Sequence, residues 1–248
     1  ARRRAIRDIA GMKISPRFRW LAGASVATWF CLVFGTAGPA TAQTVVDLEL
    51  VLAIDCSYSV DAGEFKLQKN GLALAFQNPQ ILKSIRQGPL GVVAITVVEW
   101  SSARSQIIAV PWTLVYDEAT SLDLAARIAA IPRLTADGGT SISAMIEVGV
   151  AMLGNNNIVS ERQVIDISAD GYNNNGNSIT LLTRHAERNS VILNGLAITH
   201  EHEDMDIYFQ HHVITGVGSF VVTANGYGKY AEAILRKLMR EIGGTPMS

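Results

Sequence analysis

The strand-length apolar runs of this chain are apolar at successive positions rather than at alternate ones. Leu48–Ile54 reads LELVLAI, Gly91–Trp100 reads GVVAITVVEW and Gln163–Ser168 reads QVIDIS. A strand with one face in water alternates apolar and polar residues, so runs of this kind need cover on both faces. A parallel sheet between two layers of helices provides that cover. Gln106–Val110, Val191–Ile198 and Ser219–Thr223 read as further strands. Between the strands, Asp61–Phe76, Glu118–Ile131, Ser141–Leu153, Ser178–Asn189 and Tyr230–Ile242 carry apolar residues three and four apart. Ile142, Met145, Ile146, Gly149 and Val150 show the spacing, which is that of an amphipathic helix. Gly243-Gly244 closes the last of them. The alternation predicts an α/β domain with a doubly wound, mostly parallel central sheet flanked by helices. Residues 43–248 contain no internal repeat and no Ser/Pro linker, and read as one domain. In such a sheet, ligands bind at the carboxyl ends of the strands, near the point where the strand order reverses.

The first 42 residues are of another kind. Arg2, Arg3, Arg4, Arg7, Lys13, Arg17 and Arg19 precede an uncharged apolar run from Trp20 to Gly35. Small residues follow, ending in Ala40-Thr41-Ala42, which fits an A-x-A cleavage site. This order predicts a secretory signal peptide over residues 1–42, with residues 1–11 as an upstream extension before Met12. The mature chain then begins near Gln43, across the inner membrane in the periplasm. The apolar run is shorter than the roughly 20 residues that span a bilayer, and no later run reaches that length, so no membrane span is expected after cleavage.

Charge follows the same division. Of 21 Lys+Arg and 22 Asp+Glu, seven cations and one anion (Asp8) fall in residues 1–42, which leaves residues 43–248 with 14 and 21, a net of −7. A body this acidic excludes sequence-independent nucleic-acid binding, which runs on Lys and Arg neutralising phosphates. Cys31 would leave with the signal, so Cys56 stands alone and stability must come from the core rather than from a disulfide.

The polar residues that end the strands carry the chemistry. The first long strand runs into Asp55-Cys56-Ser57-Tyr58-Ser59, a carboxylate and two hydroxyls at alternate positions. Hard oxygen donors of this kind suit Mg²⁺, Mn²⁺ or Ca²⁺. Taken alone, the same serines could equally cap the next helix. Asp137-Gly138-Gly139-Thr140-Ser141 precedes another helix, where its glycines permit a tight turn that aims Thr140 into a shared cleft. Gln163–Ser168 then leads into Ala169-Asp170-Gly171, a second carboxylate at a strand end.

Asp55, Ser57, Ser59, Thr140 and Asp170, in this order, resemble the metal-ion-dependent adhesion site of the von Willebrand factor type A domain superfamily. The resemblance covers about residues 46–243. Within the superfamily, Val98-Glu99-Trp100-Ser101, Gly218–Ala224 and Tyr230–Ile234 are most similar to a bacterial group of secreted proteins, the DUF1194 family. The resemblance implies that Ser57, Ser59 and Thr140 bind a divalent cation directly while Asp55 and Asp170 act mainly through bound water. Mg²⁺ is the first choice, with Mn²⁺ or Ca²⁺ as alternatives. It further implies that an acidic side chain of a protein partner completes the coordination, so that the site binds and does not catalyse.

The alternative is a metal-dependent hydrolase on the same fold. Against it, the phosphate-binding pattern G-x-x-x-x-G-K-[ST] and the nucleophile elbow G-x-S-x-G are absent. Glu99 is the one strand-end residue available as an additional base. Cys56 should turn away from Ser57 into the core, as a small hydrophobe. His200, His202, His211 and His212 lie among Glu201, Glu203, Asp204 and Asp206. They read either as a zinc site or as a charged loop entering an amphipathic helix around Ile207–Ile214, and no H-x₃-H or H-E-x-x-H frame supports the first reading. Asn173-Asn174-Asn175 should shape the rim of the cleft. Tyr58, Trp100 and Tyr172 are candidates to line it, with Trp100 equally placed to pack under the sheet.

Overall fold

A computed structural model describes residues 43–135 and 138–244. The signal-peptide segment and Asp137 of the glycine loop lie outside the described residues. A six-stranded sheet carries the fold. Its strands are β2 (Leu48–Asp55), β3 (Val93–Trp100), β4 (Gln106–Val115), β6 (Gln163–Ala169), β7 (Val191–Ile198) and β8 (Val221–Ala224), in the spatial order β4-β3-β2-β6-β7-β8. All neighbours are parallel except the edge strand β4, which runs antiparallel to β3. A separate parallel pair joins β1 (Thr44–Val45) to β5 (Ile158–Val159).

Every residue of β2 and of β3 is buried, so both faces of the sheet centre are covered, as the unbroken apolar runs require. The pleat divides β2 between two cores. Leu48, Leu50, Leu52 and Ile54 join α1 (Ala62–Gln77), α2 (Pro79–Arg86), α3 (Glu118–Ala129) and α7 (Tyr230–Gly243) through Leu72, Ile85, Leu124 and Ile234. Val51 and Ala53 join α4 (Ile142–Gly154) and α5 (Ile179–Arg188) through Met145, Ile146 and Leu182. Trp100 belongs to this second core, wholly buried, and so packs under the sheet rather than on the rim. A short α6 (Met205–Tyr208) passes into a π-helical turn, Phe209–Val213, where one helix over residues 207–214 is expected. Gly195 of β7 makes room for it, because a Cβ there would collide with the Phe209 ring.

One group of charges is sealed inside. Lys237 Nζ of α7 lies 2.6 Å from Asp166 Oδ1 of β6 and 2.6 Å from Glu241 Oε1, with side chains 0–1% exposed. Asn194 Nδ2 donates to the same Glu241 oxygen at 3.0 Å. Burial, reinforced by Glu241, holds the Asp166 carboxyl well above the usual carboxylate range despite the ammonium beside it.

Among the described residues no helix is long and apolar enough to cross a membrane.

Candidate metal centre

The connections put the two strand-end carboxylates side by side. From β2 the chain crosses to β3 on one side of it, whereas β6, β7 and β8 extend on the other. The order therefore reverses between β2 and β6, where a ligand site is expected in such sheets. Asp55 is the last residue of β2, and Asp170 directly follows Ala169, the last of β6.

The loop after β2 folds back on its own carboxylate. Asp55 Oδ1 accepts from the Ser57 amide at 2.7 Å, Ser57 Oγ lies 3.1 Å from Ser59 Oγ, and Ser59 Oγ donates to Asp170 Oδ1 at 2.8 Å. Asp55, Ser57 and Asp170 are at most 1% exposed. The outer oxygens, Asp55 Oδ2 and Asp170 Oδ2, are buried and make no hydrogen bond of good geometry among the described residues. Burial and then the Asp170 charge push the Asp55 carboxyl up to about 7. Thr140 closes the set. It is buried, and its Oγ1 sits 3.4 Å from where a Cβ on Gly171 would be, so the glycine after Asp170 admits it. All five expected residues are thus brought to one place, with hydroxyl and carboxylate oxygens only.

Two devices hold this arrangement. Arg133 donates to the backbone oxygens of Cys56 at 3.1 Å and Val60 at 2.8 Å, bracing the first loop from behind. The Asn173–Asn175 run staples three segments through successive side chains. Asn174 Oδ1 accepts from the Thr140 amide at 2.9 Å, Asn173 Oδ1 from Ser143 at 2.9 Å, and Asn175 Oδ1 from Ala103 at 2.8 Å. The Asn174 amide returns a bond to the Thr140 carbonyl at 2.9 Å. The run does more than shape a rim: it fixes the loop that carries Thr140.

Above the carboxylates opens a cleft of about 570 Å³ lined by Tyr58, Ser59, Thr140, Tyr172, Glu201 and His202, among others. Tyr58 is 81% exposed, and Tyr172 stacks on His202 with ring centroids 4.3 Å apart. The other expected site residues lie elsewhere. Glu99 is wholly buried and does not line the cleft; its Oε2 accepts from the Leu134 and Thr135 amides at 2.7 and 3.2 Å, while its Oε1 makes no well-formed hydrogen bond among the described residues. Cys56 is buried with its thiol directed at the Ile54 carbonyl, and burial raises its pKa. The histidines disperse. His200 pairs with Glu64 at 3.4 Å, while His211 and His212 follow Tyr208 on the π-turn. Among the described residues no three His, Cys, Asp or Glu are placed to hold a metal ion.

Tyr227, which the sequence does not assign to the site, also lies beside the centre. It lies on a 3₁₀ turn ahead of α7, is 4% exposed, and has its hydroxyl within reach of Asp170 but in no well-formed hydrogen bond among the described residues.

Residues 45–246 match the family described as "Protein of unknown function (DUF1194)". No curated protein matches the chain. Among solved structures, the chain is similar to proximal thread matrix protein 1 from the mussel byssus, at 15% identity and a TM-score of 0.54, covering 82% of this chain and 47% of that one. The pilus adhesin SpaC from Lactobacillus rhamnosus GG gives 14% identity and a TM-score of 0.55 over 81% and 30%. The von Willebrand factor type A protein from Catenulispora acidiphila gives 14% and 0.51 over 81% and 43%. The chain thus spans less than half of each of these proteins, and at such identities the likeness is one of fold. That fold is the von Willebrand factor type A domain. A second structure of the mussel protein is described with a zinc-occupied MIDAS motif, at 13% identity and a TM-score of 0.53 over 80% of this chain and 46% of that one.

Proposed function

The chain belongs to the DUF1194 family, and we propose that it is an exported type A domain that binds a protein partner through a divalent cation. Residues 1–42 act as the signal peptide, and residues 43–248 form the domain that works in the periplasm. The observation that carries this reading is the pair of buried oxygens, Asp55 Oδ2 and Asp170 Oδ2, that make no well-formed hydrogen bond among the described residues and lie beside the Ser57, Ser59 and Thr140 hydroxyls. Buried polar atoms in a native fold are normally satisfied, so two orphaned carboxylate oxygens in one place ask for a cation or its water. An all-oxygen donor set fits Mg²⁺, or Mn²⁺ or Ca²⁺ in its place. The ion would be held by Ser57, Ser59 and Thr140, with Asp55 and Asp170 orienting its water, and when bound it supplies positive charge for a partner carboxylate. The chain supplies little of that charge itself, since residues 43–248 carry net −7. Binding is favoured over hydrolysis because the carboxylate offered as a base, Glu99, is wholly buried, does not line the cleft and has one oxygen held by backbone amides.

The test is capture of partners from periplasmic extract on immobilised protein, with EDTA and with added Mg²⁺. Capture should vanish with chelator and return with Mg²⁺. Thr140→Ala should mimic the chelator, while Ser219→Ala, before β8 at the other end of the strands, should bind as wild type. Capture that is indifferent to both EDTA and Thr140→Ala would remove the adhesion mechanism and leave the fold untouched.

Asn174→Ala supplies a finer measurement. Loss of the side chain frees the Thr140 amide without removing any ligand, and supports of this kind are typically worth roughly 10–100-fold in metal affinity. Calorimetric titration should show Mg²⁺ binding weakened by about tenfold. Unchanged affinity would mean that the staple does not position Thr140.

A further inference from the structure

The buried hydroxyl of Tyr227 has no role in the site as assigned so far. It is 4% exposed, its Oη makes no hydrogen bond of good geometry among the described residues, and Asp170 acts on it both as a charge and as a hydrogen-bond acceptor within reach, with Asp55 and Glu64 acting as further charges. Its ring meets His200 edge-on, with centroids 6.2 Å apart, and His200 in turn pairs with Glu64 of α1 at 3.4 Å. Asp55 Oδ2, Asp170 Oδ2 and Tyr227 Oη are thus three buried polar atoms of one neighbourhood that make no well-formed hydrogen bond among the described residues. A tyrosine kept only for packing would do as well as phenylalanine, and would avoid the cost of desolvating an unpaired hydroxyl, about 1–3 kcal/mol.

We propose that Tyr227 is a positioning residue of the metal centre, whose hydroxyl donates to Asp170 or to the water that Asp170 orients once the cation is in place. The inference rests on the metal reading above and deepens it. A phenol suits the task because it offers one donor on a rigid arm, and because it adds no charge to a site that already holds two carboxylates. The backbone sets the arm. Gly226 has φ +72°, a left-handed conformation in which glycine carries no strain, and the turn it makes places Tyr227 at the mouth of α7. Among ligand-orienting groups of this kind, loss of the hydrogen bond alone lowers affinity without unfolding the protein.

Tyr227→Phe is the experiment, on the mature chain, with Mg²⁺ and Mn²⁺ as probes. Calorimetry should show affinity reduced by about tenfold. The melting temperature in EDTA should be unchanged or slightly raised, because the variant deletes an unsatisfied donor. Adding Mg²⁺ to the wild type should produce a tyrosine difference band in the near ultraviolet as the hydroxyl acquires its partner. That band should be lost in Tyr227→Phe and kept in Tyr116→Phe, whose ring is exposed after β4. Equal affinities in wild type and Tyr227→Phe, or a wild type without the band, would overturn the role of Tyr227 alone. Absence of Mg²⁺ and Mn²⁺ binding to the wild type would overturn the metal centre, and the role with it. Should Tyr227→Phe melt lower in EDTA, the wild-type difference spectrum decides by itself.

Discussion

Lys237→Met should destabilise the domain by about 3–5 kcal/mol, the usual cost of breaking a buried ion pair from one side. The length of the side chain is nearly kept, so packing changes little. What changes is that Asp166 and Glu241, each 2.6 Å from the ammonium and both at most 1% exposed, are left facing each other with no cation in contact with either carboxylate, Arg162 acting on Glu241 only from beyond its backbone oxygen. For a domain of this size the loss corresponds to a fall of roughly 10 °C in melting temperature. The penalty should depend on pH. Asp166 already titrates above its ordinary range in the fold, so it contributes stability that is fully present below its unfolded pKa and lost as pH rises through the folded value. Removing Lys237 raises the Asp166 carboxyl further, and the deficit of the variant should widen from acid to neutral pH. Adding Asp166→Asn to Lys237→Met should recover part of the loss, since a single carboxylate then remains. Urea titrations at pH 5 and pH 8 measure all of this. A deficit below about 1 kcal/mol, the scale of an exposed pair, would mean that water reaches the cluster.

That cluster also shows where sequence reading stops. Lys237 and Glu241 are four apart on a helix, a spacing that normally marks a solvated surface pair. Only the lone aspartate inside QVIDIS, on a strand buried on both faces, hinted at a charge needing an internal partner. The sheet itself was legible, because unbroken apolar runs admit few architectures. The meeting of the two carboxylates was legible for a related reason: parallel strands collect their carboxyl ends at one edge, so Asp55 and Asp170 could be placed together across more than a hundred intervening residues, while Ser57, Ser59 and Thr140 joined them through the resemblance to the type A site. Short or edge elements were not. Pro111 reads as the end of a strand, yet β4 continues to Val115, since an edge strand can spare an amide on its outer side. Helix α2 has eight residues, too few for a clear period, although Asn78 as cap and Pro79 in the first turn are the signals of its start. Tyr227 reads in the sequence only as part of the turn Gly226-Tyr227-Gly228-Lys229 that starts the last helix, with nothing to tie it to the site. It precedes a helix by three residues, and only the three-dimensional return of that helix to the sheet brings it to Asp170.

Asp55→Asn should abolish the response to divalent cations and, in the same protein, raise the stability of the ion-free state at alkaline pH. The two effects have one origin. Without a cation, Asp55 and Asp170 share a buried site, and Asp55 titrates at about 7 through burial first and the Asp170 charge second. A carboxyl raised in the fold lends stability that is complete below its unfolded pKa, near 4, and is lost as pH climbs through about 7. By pH 8 this titration has cost the ion-free wild type about 4 kcal/mol, because each pH unit between the unfolded and folded pKa values removes about 1.36 kcal/mol. Asparagine keeps the oxygen that accepts from the Ser57 amide at 2.7 Å and never ionises, so it escapes the loss. A bound cation offsets the same repulsion in the wild type. At one hundred times its dissociation constant it should stabilise by about 2.7 kcal/mol, and its affinity should climb by up to about tenfold per pH unit below 7 before levelling off. Thermal melts at pH 5.5 and pH 8, each with EDTA and with Mg²⁺, therefore give four values per protein. In EDTA at pH 8 the variant should melt above the wild type, and with Mg²⁺ the gap should close or reverse because only the wild type responds. At pH 5.5 the two proteins should melt closer together, and the wild-type response to Mg²⁺ should shrink. An Asp55→Asn protein that still responds to Mg²⁺, or that melts below the wild type in EDTA at pH 8, would show that Asp55 is not the buried charge around which the cation site is built.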